Sequence, residues 1–292
     1  MKLAFSRSRG RIALSALLVV CILALASCAS FSKSGAIDVI ARGPGSGLRA
    51  ELMVQLGLSD AVNGTGQDSL SSTAKQYDTT ADLINAVKRD SQSIGFVAAT
   101  SLDSGVKALT VGGVAANADN VLAQTYPLSV PFILVTSQNM TSTLRDDFLT
   151  FISSNQGGAV IREFGCNPAA VGTSDYTNTD MTGHIIVEGS TAMQPLMQKL
   201  VDAYKKINPH VQIDVNGSDS TQGITDATSG VCDIGMSSRD LTSDETAGMD
   251  TVTIGSDAIA VIVNKANPLD DITTAQLAAI FSGTTATWNS VN

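Results

Sequence analysis

The chain has 292 residues, 43% hydrophobic, 15% charged and only 4% aromatic, with a formal net charge of −9. That length can bury one large core or two medium ones. An acidic, aromatic-poor chain lacks the basic footprint that nucleic-acid binding needs, so no nucleic acid is expected as a partner.

The first residues bear on the compartment. Lys2, Arg7, Arg9 and Arg11 precede an apolar run from Ile12 to Ala26. The run is short for a membrane span and has the flanks of a secretory signal, so residues 1–27 read as a signal peptide. It ends in Leu25-Ala26-Ser27-Cys28, which resembles the lipobox of bacterial lipoproteins. That resemblance implies cleavage before Cys28, lipidation of Cys28, and residues 28–35 as a short tether on a membrane lipid anchor. The leader carries four basic and no acidic residues, so its loss leaves the remainder more acidic still. Cys21 falls in the leader, which leaves Cys166 and Cys232 in the folded part. Outside the cytoplasm these two can form a disulfide or stay as two buried thiols; both alternatives are open.

Strand and helix patterns then alternate. Ile37–Ala41 is a short apolar strand, followed by the turn Arg42-Gly43-Pro44-Gly45 and a helix from Ser46 to about Leu56. Thr79 or Thr80 caps a helix carrying Leu83, Ile84 and Val87. Ser93–Ala98, Val106–Val111 and Val130–Thr136 read as strands. Helices are expected over about Thr141–Ser153 and Ala159–Phe164. Residues 172–183 (GTSDYTNTDMTG) form a linker by composition.

Past the linker, Ile185–Val187 is a strand and Gly189-Ser190-Thr191 a turn. The apolar spacing from Met193 to Ile207 matches one helical face, with Pro195 tolerable in the first turn and Asn208-Pro209 ending it. Val211, Ile213 and Val215 alternate as a half-buried strand. A small-residue turn, Gly217–Gly223, follows. Val231–Met236 and Ala258–Val263 are buried strands. Thr273 with Gln276 is a capping box for the helix Thr274–Phe281, stopped by Gly283. The alternation predicts an α/β fold.

Enzyme signatures are thin. His184 and His210 have no Cys or His at metal spacing, so no metal site is expected. Gly43-Pro44-Gly45-Ser46-Gly47 is not a nucleophile elbow, because Pro44 takes the first Gly position. Its weak likeness to a dinucleotide turn ends at Leu48. No catalytic residue and no cofactor are expected. What does recur is a strand that runs into a small-residue turn opening a helix: Gly45-Ser46-Gly47, Gly189-Ser190-Thr191 and Ser218-Asp219-Ser220-Thr221. Helix starts offer free N–H groups and a positive dipole end, and hydroxyls add donors. Any one such turn is ordinarily just an N-cap. Three in one chain, with Arg42 before the first, point to an anion site.

Several stretches carry a resemblance. GSTAMQPLMQKLVDAYKKINPHVQIDV (189–215), GSDSTQGI (217–224), CDIGMSSRDL (232–241) and TTAQLAAIFSGTTATWNSV (273–291) resemble the first half of phosphate-binding proteins of ABC importers. IDVIARGPGSGLR (37–49), SIGFVA (93–98), YPLSVPFILVT (126–136) and FLTFISSNQGGAVIREFG (148–165) resemble the second half. The halves stand in reversed order, which implies a circular permutation; an excised piece of a tandem array is the alternative.

The resemblance implies a two-lobed periplasmic-binding-protein-like fold of type 2, with the ligand cleft between the lobes. Residues 36–130 plus 263–292 would form lobe B, and 131–262, containing the 172–183 linker, lobe A. Crossing strands are expected near 126–136 and 257–264. The resemblance also implies an extracytoplasmic, membrane-anchored receptor, acting as a monomer, that binds inorganic phosphate and meets ABC permease subunits. A receptor for sulfate or another tetrahedral oxyanion, and a surface sensor or adhesion lipoprotein, are the alternatives. Onto the anion it places Thr191 and the N–H of Ala192, with Ser190 supporting, then Ser220 and Ser238. From the other side come Arg42, Gly45, Ser46, Gly47 and the N–H of Leu48. Arg49 and Arg239 would form ion pairs nearby. This chain departs from the family where an acid two residues after the arginine is replaced by Pro44. Leu48 stands where the family has Thr, and Ser238 where some members have Asp.

Overall fold

The computed structural model describes residues 30–60, 67–169 and 174–291. The leader and the lipidation expected at Cys28 lie outside the described residues. No helix among the described residues is long and apolar enough to cross a membrane.

The strands are β1 (Asp38–Arg42), β2 (Lys75–Tyr77), β3 (Ser93–Ala98), β4 (Val106–Ala108), β5 (Thr110–Val111) and β6 (Ser129–Ser137). After them come β7 (Asn167–Pro168), β8 (Gly183–Ser190), β9 (Val211–Ser218), β10 (Ile234–Ser237), β11 (Met249–Asn264) and β12 (Asp271–Ile272). The helices are α1 (Gly47–Gln55), α2 (Thr80–Arg89), α3 (Ala118–Leu122), α4 (Thr143–Ile152) and α5 (Asn155–Phe164). The remainder are α6 (Gln194–Ile207), α7 (Ser220–Ser229), α8 (Ser243–Thr246) and α9 (Thr274–Phe281).

Ten strands form one sheet in the order β2-β1-β3-β11-β6-β10-β8-β9, with β4 and β7 also on β11. Two parallel ribbons lie inside it. In the first, β1 pairs with β2 and β3; in the second, β8 pairs with β9 and β10. The antiparallel pair β6/β11 joins them: Met249–Ala258 of β11 runs along β6, and Ile259–Val263 along β3. These two strands correspond to the expected crossings, although β11 begins well before Ala258.

Burial explains the strand types. All six residues of β3 and Ala258–Val263 of β11 are buried, and both read as near-continuous apolar runs, as strands covered on both faces do. The edge strand β9 alternates, with Val211 and Ile213 inward and Gln212 and Asp214 exposed. Helix α6 buries Leu196, Met197, Leu200, Val201 and Tyr204 on one face and ends in Lys205 and Lys206, which suit the negative end of its dipole. Each of those apolar side chains contributes about 1.5–3 kcal/mol by leaving water.

Some expectations need correction. Val106–Val111 is two short strands, because β4 pairs with β11 while β5 leaves to pair with β12. The strand expected over Val231–Met236 begins only at Ile234, and Val231 is exposed. Of the two alternatives for Cys166 and Cys232, the structure has two buried free thiols and no disulfide. The reason is packing. Cys166 belongs to the main core beside Asp257 and Thr100. Cys232 belongs to a separate cluster with Ile133, Val135, Ile224, Ala227 and Met249, and its thiol donates to the Ile234 carbonyl (3.4 Å). Burial pushes both thiols up, Cys232 to about 12, so both stay protonated at neutral pH.

The described part of the 172–183 stretch is held by one aromatic anchor. Tyr176 packs on Phe151 and Tyr204, with ring centroids 5.4 and 5.8 Å away. The Asp147 carboxylate accepts hydrogen bonds from the Tyr176 hydroxyl, the Tyr204 hydroxyl (2.5 Å) and Thr179 Oγ1 (3.0 Å). Asn208 Nδ2 donates to the Tyr176 hydroxyl (2.8 Å).

Candidate anion site

Four strand ends meet in one place. Arg42 ends β1, Ser190 ends β8, Ser218 ends β9, and Ser238 directly follows β10. The carboxyl ends of strands in an open α/β sheet are where such folds bind ligands. The three small-residue turns of the sequence therefore converge.

Arg42 is the hub. The parallel register that sets Arg42 beside Tyr77 brings the β2–α2 turn against the guanidinium. Nε donates to the Tyr77 carbonyl (3.2 Å), and Nη2 to the Asp78 carbonyl (2.5 Å). Nη1 donates to Thr80 Oγ1 (3.2 Å) and, across to the second ribbon, to Thr191 Oγ1 (2.8 Å). Arg42 is 2% exposed. Burial lowers its pKa to about 10, against the opposing pull of Asp219, Asp78 and Asp82, so it remains charged at neutral pH.

The hydroxyls form a chain. Ser190 Oγ donates to Ser238 Oγ (2.8 Å), which lies 3.3 Å from Ser220 Oγ. The Ser238 N–H donates to Ser220 Oγ (3.0 Å), and the Ala192 N–H to Ser190 Oγ (3.3 Å). Ser46 caps α1, its Oγ accepting the Arg49 N–H (3.4 Å). Gly47 is required by proximity. A Cβ there would sit 2.5 Å from Ser220 Oγ and 2.7 Å from the Ser238 carbonyl carbon. Leu48 is buried beneath the turn. The Gly45 carbonyl accepts from the Thr221 N–H (3.2 Å) and Oγ1 (3.3 Å), so backbone bonds also link the two ribbons here.

An open cavity of about 330 Å³ adjoins this cluster, lined among others by Arg42, Gly45, Ser46, Asp78, Ser218 and Asp219. Ser190, Ser220 and Ser238 are buried and hydrogen-bond to one another, while the Thr191 hydroxyl bonds to Arg42 and Thr80 (3.1 Å). An entering anion would exchange those neutral hydroxyl bonds for charge-assisted ones, which are about twice as strong.

The flanking arginines form ion pairs, as expected. Arg49 reaches both Asp68 oxygens (2.9 Å each), Gln76 Oε1 (2.9 Å) and the Arg42 carbonyl (3.0 Å). Arg239, fully buried, grips Glu245 through Nη1 (2.7 Å) and Nη2 (2.6 Å). Farther along α1, Glu51 Oε1 accepts the Asp240 N–H (3.1 Å), another bond between ribbons. Burial raises the Glu51 pKa.

Sequence reasoning missed Asp78 and Thr80 as site residues and saw Asp219 only as a turn residue. The double threonine was a usable signal. Thr79 accepts the Asp82 N–H and is the cap, which frees Thr80 for Arg42.

The relationships to known proteins follow the same lines. Residues 172–292 match the PBP superfamily domain. The chain is 39% identical over 260 residues to the phosphate-binding protein PstS 2 of Streptococcus pneumoniae strain TIGR4, covering 89% of each chain. It is 34% identical over 284 residues to the phosphate-binding protein PstS 2 of Streptococcus agalactiae serotype V, covering 96% of this chain and 97% of the relative. The crystal structure of a phosphate-binding protein of a phosphate ABC transporter from S. pneumoniae TIGR4 superposes with a TM-score of 0.69 at 38% identity. That superposition covers 88% of this chain and all of the other. By sequence and by fold, the chain belongs to the phosphate-binding protein family, within the PBP superfamily.

Proposed function

We propose that this protein is an extracytoplasmic receptor that captures inorganic phosphate between its two ribbons and delivers it to an ABC permease. The observation that carries this reading is the bond from buried Arg42 to Thr191, at the point where four strand ends and three helix-opening turns converge. One fixed cation, hydroxyls and backbone N–H groups make a dry site for a tetrahedral oxyanion. The phosphate-binding proteins that this chain resembles agree with phosphate as ligand. The ligand contacts are Arg42, Gly45, Ser46, Gly47 and Leu48 on one bank. Ser190, Thr191, Ala192, Ser220 and Ser238 stand on the other. The protein acts as a monomer, since one chain carries both banks.

Lobe B comprises residues 36–130 plus 263–292, and lobe A residues 131–262. The permuted order of the halves has two supports. The superfamily match begins at residue 172, within the linker. The Ile37 N–H also donates to the Ala286 carbonyl (2.8 Å), which sets Trp288–Val291 beside the strand that would follow it in the unpermuted order. Lipidation of Cys28 rests on the Leu-Ala-Ser-Cys sequence; mass spectrometry of the membrane-extracted protein would test it, and an unmodified Cys28 would remove the anchor. Titration calorimetry of lipid-free protein with phosphate, sulfate and molybdate tests the ligand. Binding of another anion with no response to phosphate would retire the phosphate reading.

A further inference from the structure

The anion site and the N-terminal tether lie at opposite ends of β1, which runs from Asp38 to Arg42. At the Asp38 end the Trp288 N–H donates to the Gly35 carbonyl (3.4 Å) and its indole N–H to the Gln92 carbonyl (3.1 Å). Phe31 packs on Trp288, with ring centroids 5.8 Å apart. With Asn267, Leu269 and Val291 these rings line a pocket of about 170 Å³, and Lys33 stands in its wall. Asn267 is buried and its Oδ1 accepts the Leu269 N–H (2.9 Å), which fixes the amide; its Nδ2 has no hydrogen-bond partner. The pocket is apolar in most of its walls and short of one acceptor.

Chain length decides what this pocket meets. At no more than about 3.6 Å per residue, the three steps from Cys28 to Phe31 span about 11 Å at most. A lipid on Cys28 would hold the pocket at the headgroup layer, where aromatic side chains and lysines are favoured. Charge agrees. Strand β11 ends at Asn264 beside the starts of β3 and β4, and Asn264 Nδ2 binds the Val87 and Lys88 carbonyls at the end of α2. Around this end Asp38 and Asp90 pair with Lys75, Asp103 with Lys88, and Asp270 with Lys107. Asp271 accepts bonds from Thr110 Oγ1 and the Gly113 N–H. Lys33, Arg89 and Lys265 are exposed and form no ion pair among the described residues. In a chain of net charge −9 this is a local surplus of cations, each worth about fivefold in binding to an anionic bilayer.

We propose that this end of the molecule is a membrane-docking face. The Phe31–Trp288 pocket takes ester or phosphate oxygens of an anionic phospholipid, and Lys33, Arg89 and Lys265 meet the surface charge. The inference rests on the lipid anchor at Cys28 and is independent of which anion the crevice binds. A body docked in this way carries Arg42 on the side away from the bilayer, so delivery to a permease requires it to let go of the lipid.

Trp288 is the sole tryptophan, so its fluorescence reports on this pocket alone. The lipidated protein is reconstituted into phosphatidylcholine vesicles with and without phosphatidylglycerol, a fraction of the headgroups carrying a nitroxide quencher. Vesicle flotation and phosphate calorimetry are measured on the same preparations. Trp288 should be quenched in the vesicles containing phosphatidylglycerol, and less so at high salt. The double variant Lys33→Glu, Lys265→Glu should lower the ratio of docked to undocked protein by about tenfold or more and keep native phosphate affinity. Protein that floats with Trp288 unquenched overturns the inference and leaves the anchor standing. Quenching that is equal in both lipid mixtures and unchanged in the variant is imposed by the tether alone, and also overturns it. Protein that does not float and has an unmodified Cys28 overturns the anchor and the docking face together. Protein that docks as described and binds no phosphate supports the docking face and retires the phosphate reading.

Discussion

The two banks of the crevice hold an anion by different means. The β1 bank supplies charge: Arg42 is tied by Tyr77, Asp78 and Thr80 before any ligand arrives. The β8–β10 bank supplies hydroxyls: Ser190, Ser220 and Ser238 are linked only to one another and to neighbouring N–H groups. The charged bank is pre-organised and should dominate affinity. The hydroxyl bank gives up one set of bonds to form another, so each of its members should matter modestly. The bridging contacts at Gly45 and Gly47 report how closely the banks must approach.

Four measurements sharpen or break this contrast. The largest effect is expected from Arg42→Ala, which should weaken phosphate binding about a hundredfold or more in calorimetry. Its vacated carbonyl partners should also lower the melting temperature. An affinity within a few-fold of native would show that the charged bank is not the dominant one.

Next comes Gly47→Ala. Its Cβ would meet Ser220 Oγ and the Ser238 backbone, so the banks cannot close fully. Affinity should fall roughly thirtyfold, about 2 kcal/mol, with an unchanged circular dichroism spectrum. Native affinity would mean that closure does not require this contact.

A third measurement separates stability from binding. Asp257 lies on β11 where the ribbons join and accepts bonds from Thr100 N (3.0 Å), Thr100 Oγ1 (2.6 Å) and Ala258 N (2.7 Å). Burial nevertheless raises its pKa to about 6. The folded state therefore binds the proton more tightly than the unfolded chain does. This contribution makes the protein more stable as pH falls from about 7 towards 4, by on the order of 2 kcal/mol. Denaturant titrations at pH 5 and 7.5 should show it, and Asp257→Asn should flatten it. A variant with the same pH dependence as the native chain would assign the effect to other groups.

The smallest change is Ser220→Ala. It removes one hydroxyl and leaves the Ser238 N–H without its acceptor, which should cost about 1 kcal/mol, near fivefold in phosphate affinity. A loss as large as that of Arg42→Ala would contradict the modest role assigned to this bank.

Much of the site could be read before the structure, because its parts are local. A strand end, a small-residue turn and a helix start are visible as Gly189-Ser190-Thr191 or Gly45-Ser46-Gly47 without knowing what they face. What they face was not visible. That Thr80 serves Arg42 depends on the β1/β2 register, set by strand pairing far along the chain. The polar half of β11, with Asp250, Thr251 and Thr253, shows no apolar run, because it is held by pairing along β6 and carries a bulge at Thr253/Gly255. Helix α5 begins at Asn155 rather than Ala159, since Gly157 and Gly158 weaken the helical signal. Gly157 is there because a Cβ would run into the carbonyls of Phe151 and Ile152. The thiols of Cys166 and Cys232 could be assigned only once each had been placed in its own cluster.

The shared strand β11 also governs when the molecule can assemble. The first ribbon has no central neighbour for β3, and β6 lacks its long antiparallel partner, until residues 249–264 are available. Pairings that span more than a hundred residues close slowly, because the chain entropy is lost before the contacts form. A chain emerging from its N-terminus therefore exposes the unpaired edges of β3 and β6 for most of its passage. Both ribbons, and the crevice between them, become cooperative together, late, on the arrival of a single segment.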